Sequence, residues 1–278
     1  MNKSCQVIIE NIVSFYPIPI PLMEIAEDEG ICVIFDDYGT NTFDGMTWYE
    51  AEQGMFYMHI NTARNNGKNN TKGRFTLAHE LGHYFIDHHR KALQNGIMSP
   101  HIHRYEPFGK NEDWLVEREA DEFAANLLMP TTQFKSDFAG KVLSGELVKS
   151  VADKYNVSFS ACALRYLKFN IIPIMLVFSQ NGKIKWQMRS ADFPFYRLKY
   201  GTNKVPENTV MGDYFFNHDE SCCKQDEIVY AGDCFDTYEE EQNRLEFFEY
   251  CIAYKDYAFS MLWEQTHYLR TLSEGRFR

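Results

Sequence analysis

The sequence predicts a mixed α+β chain in three parts, on three observations. Residues 1–130 mix strand-like and helical rhythm around one helix, 74–87, whose polar side carries two histidines. Residues 131–170 keep a helical rhythm alone, broken at Asn156-Val157-Ser158 in the manner of a helix-turn-helix. Residues 171–278 shift to short apolar runs with a strong hairpin signal at Asn181-Gly182. The expected layout is a small sheet with the histidine helix against it, then a helical segment, then a β-rich α+β domain. A chain of 278 residues has room for this, since domains commonly run about 100–200 residues.

Taken in order, residues 7–30 read as helix in two pieces around the proline-rich stretch 17–21, and 31–35 as a strand. Residues 46–61 suggest a hairpin: Met46-Thr47-Trp48-Tyr49, a turn near Glu52-Gln53-Gly54, then the return run 55–61. Residues 62–73 are almost wholly polar and form the expected loop ahead of the helix.

The helix itself is the most informative segment: Phe75-Thr76-Leu77-Ala78-His79-Glu80-Leu81-Gly82-His83. At about 100° per residue, Phe75, Ala78, Leu81, Gly82, Phe85 and Ile86 share one arc. Thr76, His79, Glu80, His83 and Asp87 fall on the opposite one. Histidines four apart project from one face about a turn apart, so both imidazoles reach a single metal ion. Glu80 between them is a carboxylate placed to take a proton from water beside that ion, which is what a zinc hydrolase needs. The plain alternative is an amphipathic helix with a solvated polar face. Gly82 argues against it, because mid-helix glycine costs about 1 kcal/mol relative to alanine and makes sense where another backbone packs closely.

Residues 88–113 carry His88, His89, His101, His103, Pro100 and Pro107, and are expected to overhang the polar face of this helix. One of these histidines, or Tyr105, is a candidate to stabilise a developing oxyanion.

A third ligand is expected from a second helix, 116–130, stopped by Pro130. Its apolar stripe is Val116, Ala120, Phe123, Ala124, Leu127 and Leu128, and Glu117 lies inside that stripe. A carboxylate there is costly unless it is paired or bound to a metal. Glu119 and Glu122 point away with Arg118 and read as a solvated edge. Asp121 sits at the margin of the stripe, where it can accept a hydrogen bond from a ligand histidine and fix its tautomer.

Thr76-Leu77-Ala78-His79-Glu80-Leu81-Gly82-His83-Tyr84-Phe85-Ile86-Asp87-His88, followed by the 117–130 segment EREADEFAANLLMP, resembles the ImmA/IrrE family of zinc metallopeptidases, which are gluzincin-like. The likeness is strong over residues 1–130 and loose over 131–170. It implies a zincin-like metallopeptidase domain at 1–130 holding one Zn2+ through His79, His83 and Glu117. Glu80 is then the catalytic base, and Asp121 the supporting aspartate of an E-x-x-x-D element. It further implies that the strand near 55–61, with Tyr57, His59 and Asn61, lies at the sheet edge above the metal, where an extended substrate can pair with it. A plain core strand is the alternative.

Composition and charge set the surroundings. The net charge of −11 speaks against general nucleic-acid affinity, and residues 131–170 hold only six basic residues against three acidic ones. Phe159, Leu164, Tyr166 and Leu167 there are as well explained by packing, so direct nucleic-acid binding is not expected. Seven irregularly spaced cysteines argue against a disulfide framework. His218, Cys222, Cys223 and Cys234 match no standard zinc module. The start of the chain, with Glu10 and prolines from Pro17, does not read as a secretion signal, and the apolar run 171–178 is too short to span a bilayer. A cytoplasmic protein is expected.

In the last third, 171–178, 183–188 and 258–264 read as strands, and the acidic stretch 239–249 as a helix or solvated edge. No motif with chemistry is found there, which leaves substrate recognition or regulation as its expected role. The family resemblance implies a specific endopeptidase whose protein substrate is a helix-turn-helix transcriptional repressor. The alternative is a non-proteolytic, metal-containing regulatory or antitoxin-like partner protein.

Overall fold

A computed structural model describes residues 3–97, 101–103, 114–199 and 203–264. They form a mixed α+β structure that divides into two compact units, Met1–Phe134 with Ala152–Ser158, and Lys135–Val151 with Phe159–Arg278.

In the first unit, α1 (Lys3–Phe15) and α2 (Leu22–Asp28) precede β1 (Cys32–Asp36), β2 (Gly45–Glu50) and β3 (Met55–Asn61). Then come α3 (Thr71–Phe85), α4 (Asp87–Gln94), β4 (His101–His103) and α5 (Trp114–Leu128). The two N-terminal helices, the first strand and the β2–β3 hairpin fall where sequence periodicity put them. The sheet order is β1-β3-β2-β4, with β1 parallel to β3 and the other pairs antiparallel. Phe56, Met58 and Ile60 alternate along β3 as buried residues, the period of a strand with one face on a core.

This order corrects one expectation. The 55–61 strand is interior, bonded to β1 on one side and to β2 on the other, so its main chain has no free edge for a substrate. Local pattern reports that a segment is a strand; which strands flank it depends on pairings formed elsewhere. Among the described residues the outer strands of this sheet are β1 and β4. The short β4 lies in the 88–113 stretch expected to overhang the polar face of the helix.

α3 begins at Asn70, whose side chain accepts a hydrogen bond from Gly73 N, an N-cap that satisfies an otherwise orphan donor. It packs on α5, where Ala120, Phe123, Ala124, Leu127 and Leu128 are buried at 0–1% exposure. Burying each of the larger side chains contributes about 1.5–3 kcal/mol. Gly82 sits where the helices are closest: a Cβ there would lie 3.2 Å from Ala120 Cα and 3.3 Å from its carbonyl oxygen. The close backbone approach expected from the sequence is therefore present. Gly82→Ala is expected to cost about 1–3 kcal/mol despite the better helix propensity of alanine, because the contact is with backbone that cannot rotate away. Urea unfolding would measure it; a stability gain would mean that the two helices separate freely.

Helices α6 (Thr131–Phe138), α7 (Gly145–Tyr155) and α8 (Phe159–Phe169) follow, with Asn156 at positive φ in the short turn between the last two. The rhythm expected for this segment, helix, Asn-Val-Ser turn, helix, is what forms.

The second unit is built on a five-stranded antiparallel sheet of order β6-β5-β9-β8-β7: β5 (Ile174–Gln180), β6 (Lys183–Arg189), β7 (Asp226–Tyr230), β8 (Glu246–Tyr254) and β9 (Tyr257–Glu264). Asn181 and Gly182 both take positive φ and join β5 to β6, as the dipeptide predicts. Its core gathers Met175, Val177, Phe193, Phe235, Phe247 and Leu262. The acidic stretch differs from expectation: a 3-10 turn at Glu240–Arg244 runs into β8, a nine-residue strand. The reason is Glu249, which is buried at a core position and accepts hydrogen bonds from Val210 N, Met211 N and Ser260 Oγ. A satisfied carboxylate in the core breaks the apolar alternation that marks a strand. No helix among the described residues is long and apolar enough to cross a membrane.

Candidate metal centre

The polar arc of α3 does not meet water. Thr76, His79, Glu80 and His83 are buried along with the apolar residues between them. Uncompensated burial of these groups would be costly, so their partners define the site.

His79 Nε2 lies 3.1 Å from His83 Nε2. Glu117, on the first turn of α5, places Oε2 3.3 Å from His79 Nε2 and Oε1 3.5 Å from His83 Nε2. These three residues form one of two groups among the described residues whose donor atoms converge closely enough to hold a metal ion. Ligands about 2.0–2.1 Å from a tetrahedral ion stand about 3.3 Å apart, so the donor set fits a metal with little movement. The fit extends behind the ligands. Asp121 Oδ1 accepts from His79 Nδ1 at 2.9 Å, which turns Nε2 toward the other donors. Burial works against a charged imidazole at His79, but hydrogen bonds to Asp121 and Glu117 and the charges of Asp121 and Glu80 outweigh it, pushing it up to about 10. The surroundings thus favour positive charge at this point.

Glu80 faces β2. Thr47 Oγ1 donates to Glu80 Oε2 at 2.6 Å, and both residues are fully buried. Gly45, at the start of β2, makes room for the carboxylate: a Cβ there would lie 2.4 Å from Glu80 Oε1 and 2.7 Å from Thr76 Cγ2. Nothing in the local pattern singles out Gly45 or Thr47, since their contact with Glu80 spans more than thirty residues of chain. Just before them, buried Asp44 binds Lys72 Nζ at 2.6 Å, Arg64 Nη2 at 3.1 Å and Asn66 Nδ2 at 2.8 Å. This ties the polar loop ahead of α3 to the start of β2.

The remaining sequence candidates lie elsewhere. Tyr57 donates to Gln53 Oε1, His59 Nδ1 meets the Tyr38 hydroxyl at 2.7 Å, and buried Asn61 braces the 39–43 loop through the carbonyls of Gly39 and Phe43. These are scaffold contacts. Glu119 does not join the first donor group; it meets His88 and His89 instead. Pro100, Tyr105 and Pro107 lie outside the described residues, as does half of the stretch expected to overhang the site.

The model for the IrrE N-terminal-like domain matches residues 26–166, half of the chain. That span contains α3 and α5 entire. In fold, the chain is similar to a Mycobacterium tuberculosis transcriptional regulator of known structure, at 16% identity and a TM-score of 0.52, over 99% of this chain and 81% of that one. No curated protein matches it.

Proposed function

We propose that this chain, which belongs to the ImmA/IrrE peptidase family through its IrrE N-terminal-like domain, is a zinc-dependent endopeptidase that cleaves a specific cytosolic protein. The observation that carries the reading is the convergence of His79, His83 and Glu117 at 3.1–3.5 Å, next to a buried glutamate held by its own hydrogen bond. Two imidazoles and one carboxylate are a donor set that zinc takes in hydrolases, leaving a position open. Zinc held there supplies Lewis acidity, lowering the pKa of water and polarising a carbonyl. Glu80 accepts the proton from the attacking water at a carboxylate oxygen and returns it to the leaving amine. Thr47 keeps Oε2 of Glu80 in place during both transfers, and Asp121 keeps His79 in the tautomer that offers Nε2.

In this reading residues 1–130 form the catalytic, zincin-like domain. Residues 131–170 form a helical segment for packing or docking, and 171–278 a recognition or regulatory domain. The proposed target is a helix-turn-helix transcriptional repressor, in keeping with the family and with the regulator whose fold this chain shares. Contact with nucleic acid is not part of the proposal. A buried, hydrogen-bonded base beside the donor set favours hydrolysis over a purely structural metal, which has no use for one.

Incubating the full chain with a candidate repressor tests this: cleavage should stop on chelation and return when zinc is restored. Cleavage that survives removal of all metal would overturn it. Asp121→Ala is expected to weaken zinc affinity by roughly 10–100-fold, as loss of a group supporting a ligand typically does. Competition against a chromophoric chelator would measure the change, and an unaltered affinity would remove Asp121 from the site.

A further inference from the structure

The geometry points to a second divalent-metal site, made by His88 and His89 of α4 and Glu119 of α5 and suited to zinc. The ligand atoms of these three residues all lie within 4.8 Å of one another. His88 Nε2 is 2.7 Å and His89 Nε2 3.1 Å from the same carboxylate oxygen, Glu119 Oε2. Two imidazole nitrogens and a carboxylate are borderline donors that suit zinc and its late first-row neighbours rather than calcium or magnesium.

Exposure also suits an exchangeable ion. His89 is fully buried and forms a fixed wall, while His88 and Glu119 keep 61% and 45% of their side chains exposed and form a rim open to solvent. Reaching the roughly 3.3 Å of a tetrahedral set requires the two distances to Glu119 Oε2 to lengthen by about 0.6 and 0.2 Å, respectively. The open fourth position then faces water. An ion there would clip α4 to α5. Because the ring of His89 lies 5.1 Å from that of His83, the second site would stand directly behind a donor of the first. By local pattern Glu119 reads as a solvated helix edge, because its partners on α4 lie thirty or more residues away in the chain. The two sites share no ligand, so the second stands whether or not the first serves hydrolysis.

Equilibrium dialysis of the full chain against Zn2+, with metal analysis at saturation, tests this. The wild type is expected to hold two ions per chain, the second more weakly. His88→Ala and Glu119→Gln should each hold one, with the tighter ion retained; both side chains are largely at the surface, so neither change threatens the fold. Glu117→Ala should lose the tighter ion and keep the weaker. A wild type that saturates at one ion, or two ions still bound by both surface variants, would overturn the second site while leaving the first untouched.

Discussion

Glu80→Gln is expected to keep its metal and lose its chemistry. The substitution preserves shape in a fully buried position, and the amide oxygen can still accept the hydrogen bond from Thr47 Oγ1. Gly45 leaves space at the other carboxylate oxygen but no room for a larger group, so an isosteric change is the one the site tolerates. What the amide cannot do is accept a proton from water. General base catalysis contributes typically 10²–10⁴-fold, and a loss of at least that size is expected in the cleavage rate. Zinc content by mass spectrometry should match the wild type. A variant that cleaves at the wild-type rate would show that the base lies elsewhere.

Glu117→Ala is expected to empty the tighter site. Removing the carboxylate leaves two imidazoles 3.1 Å apart with no anionic partner among the three donors. The loss in affinity should exceed the roughly 10–100-fold typical of removing a supporting group, because a ligand itself is gone. Glu119→Ala and Glu122→Ala should leave that ion in place. Glu117 alone among these acids joins the histidines of α3. Equal loss across the three variants would mean that the phase of α5 is wrong.

Much of this centre was legible before any fold was known, and for one reason. The spacing His79, Glu80, His83 and the spacing Glu117, Asp121 are properties of single helices, whose 3.6-residue period fixes which side chains share a face. Gly82 was legible in the same way, as a helix residue whose cost needed a tertiary explanation. What stayed hidden depends on contacts between distant segments. Thr47 and Gly45 reach Glu80 only when β2 is laid beside α3. The interior place of β3 follows from β1 pairing with it in parallel across an intervening hairpin strand, which no local pattern announces. His88 and His89 could be seen to be near the motif, but their common partner Glu119 lies thirty residues further on. In the second unit, β8 was obscured by Glu249, a charge in the core whose hydrogen bonds come from residues far along the chain.

In the proposed site His79, His83 and Glu117 hold the tighter zinc ion with one position left for water. Zinc K-edge X-ray absorption on the full chain loaded with one equivalent tests it most directly. The expected first shell is nitrogen and oxygen alone at about 2.0–2.1 Å, with the multiple scattering of two imidazoles, kept in Glu80→Gln and lost in Glu117→Ala. The chain has seven free cysteines, and sulfur in the first shell at about 2.3 Å would place the ion among them and overturn the assignment to His79, His83 and Glu117.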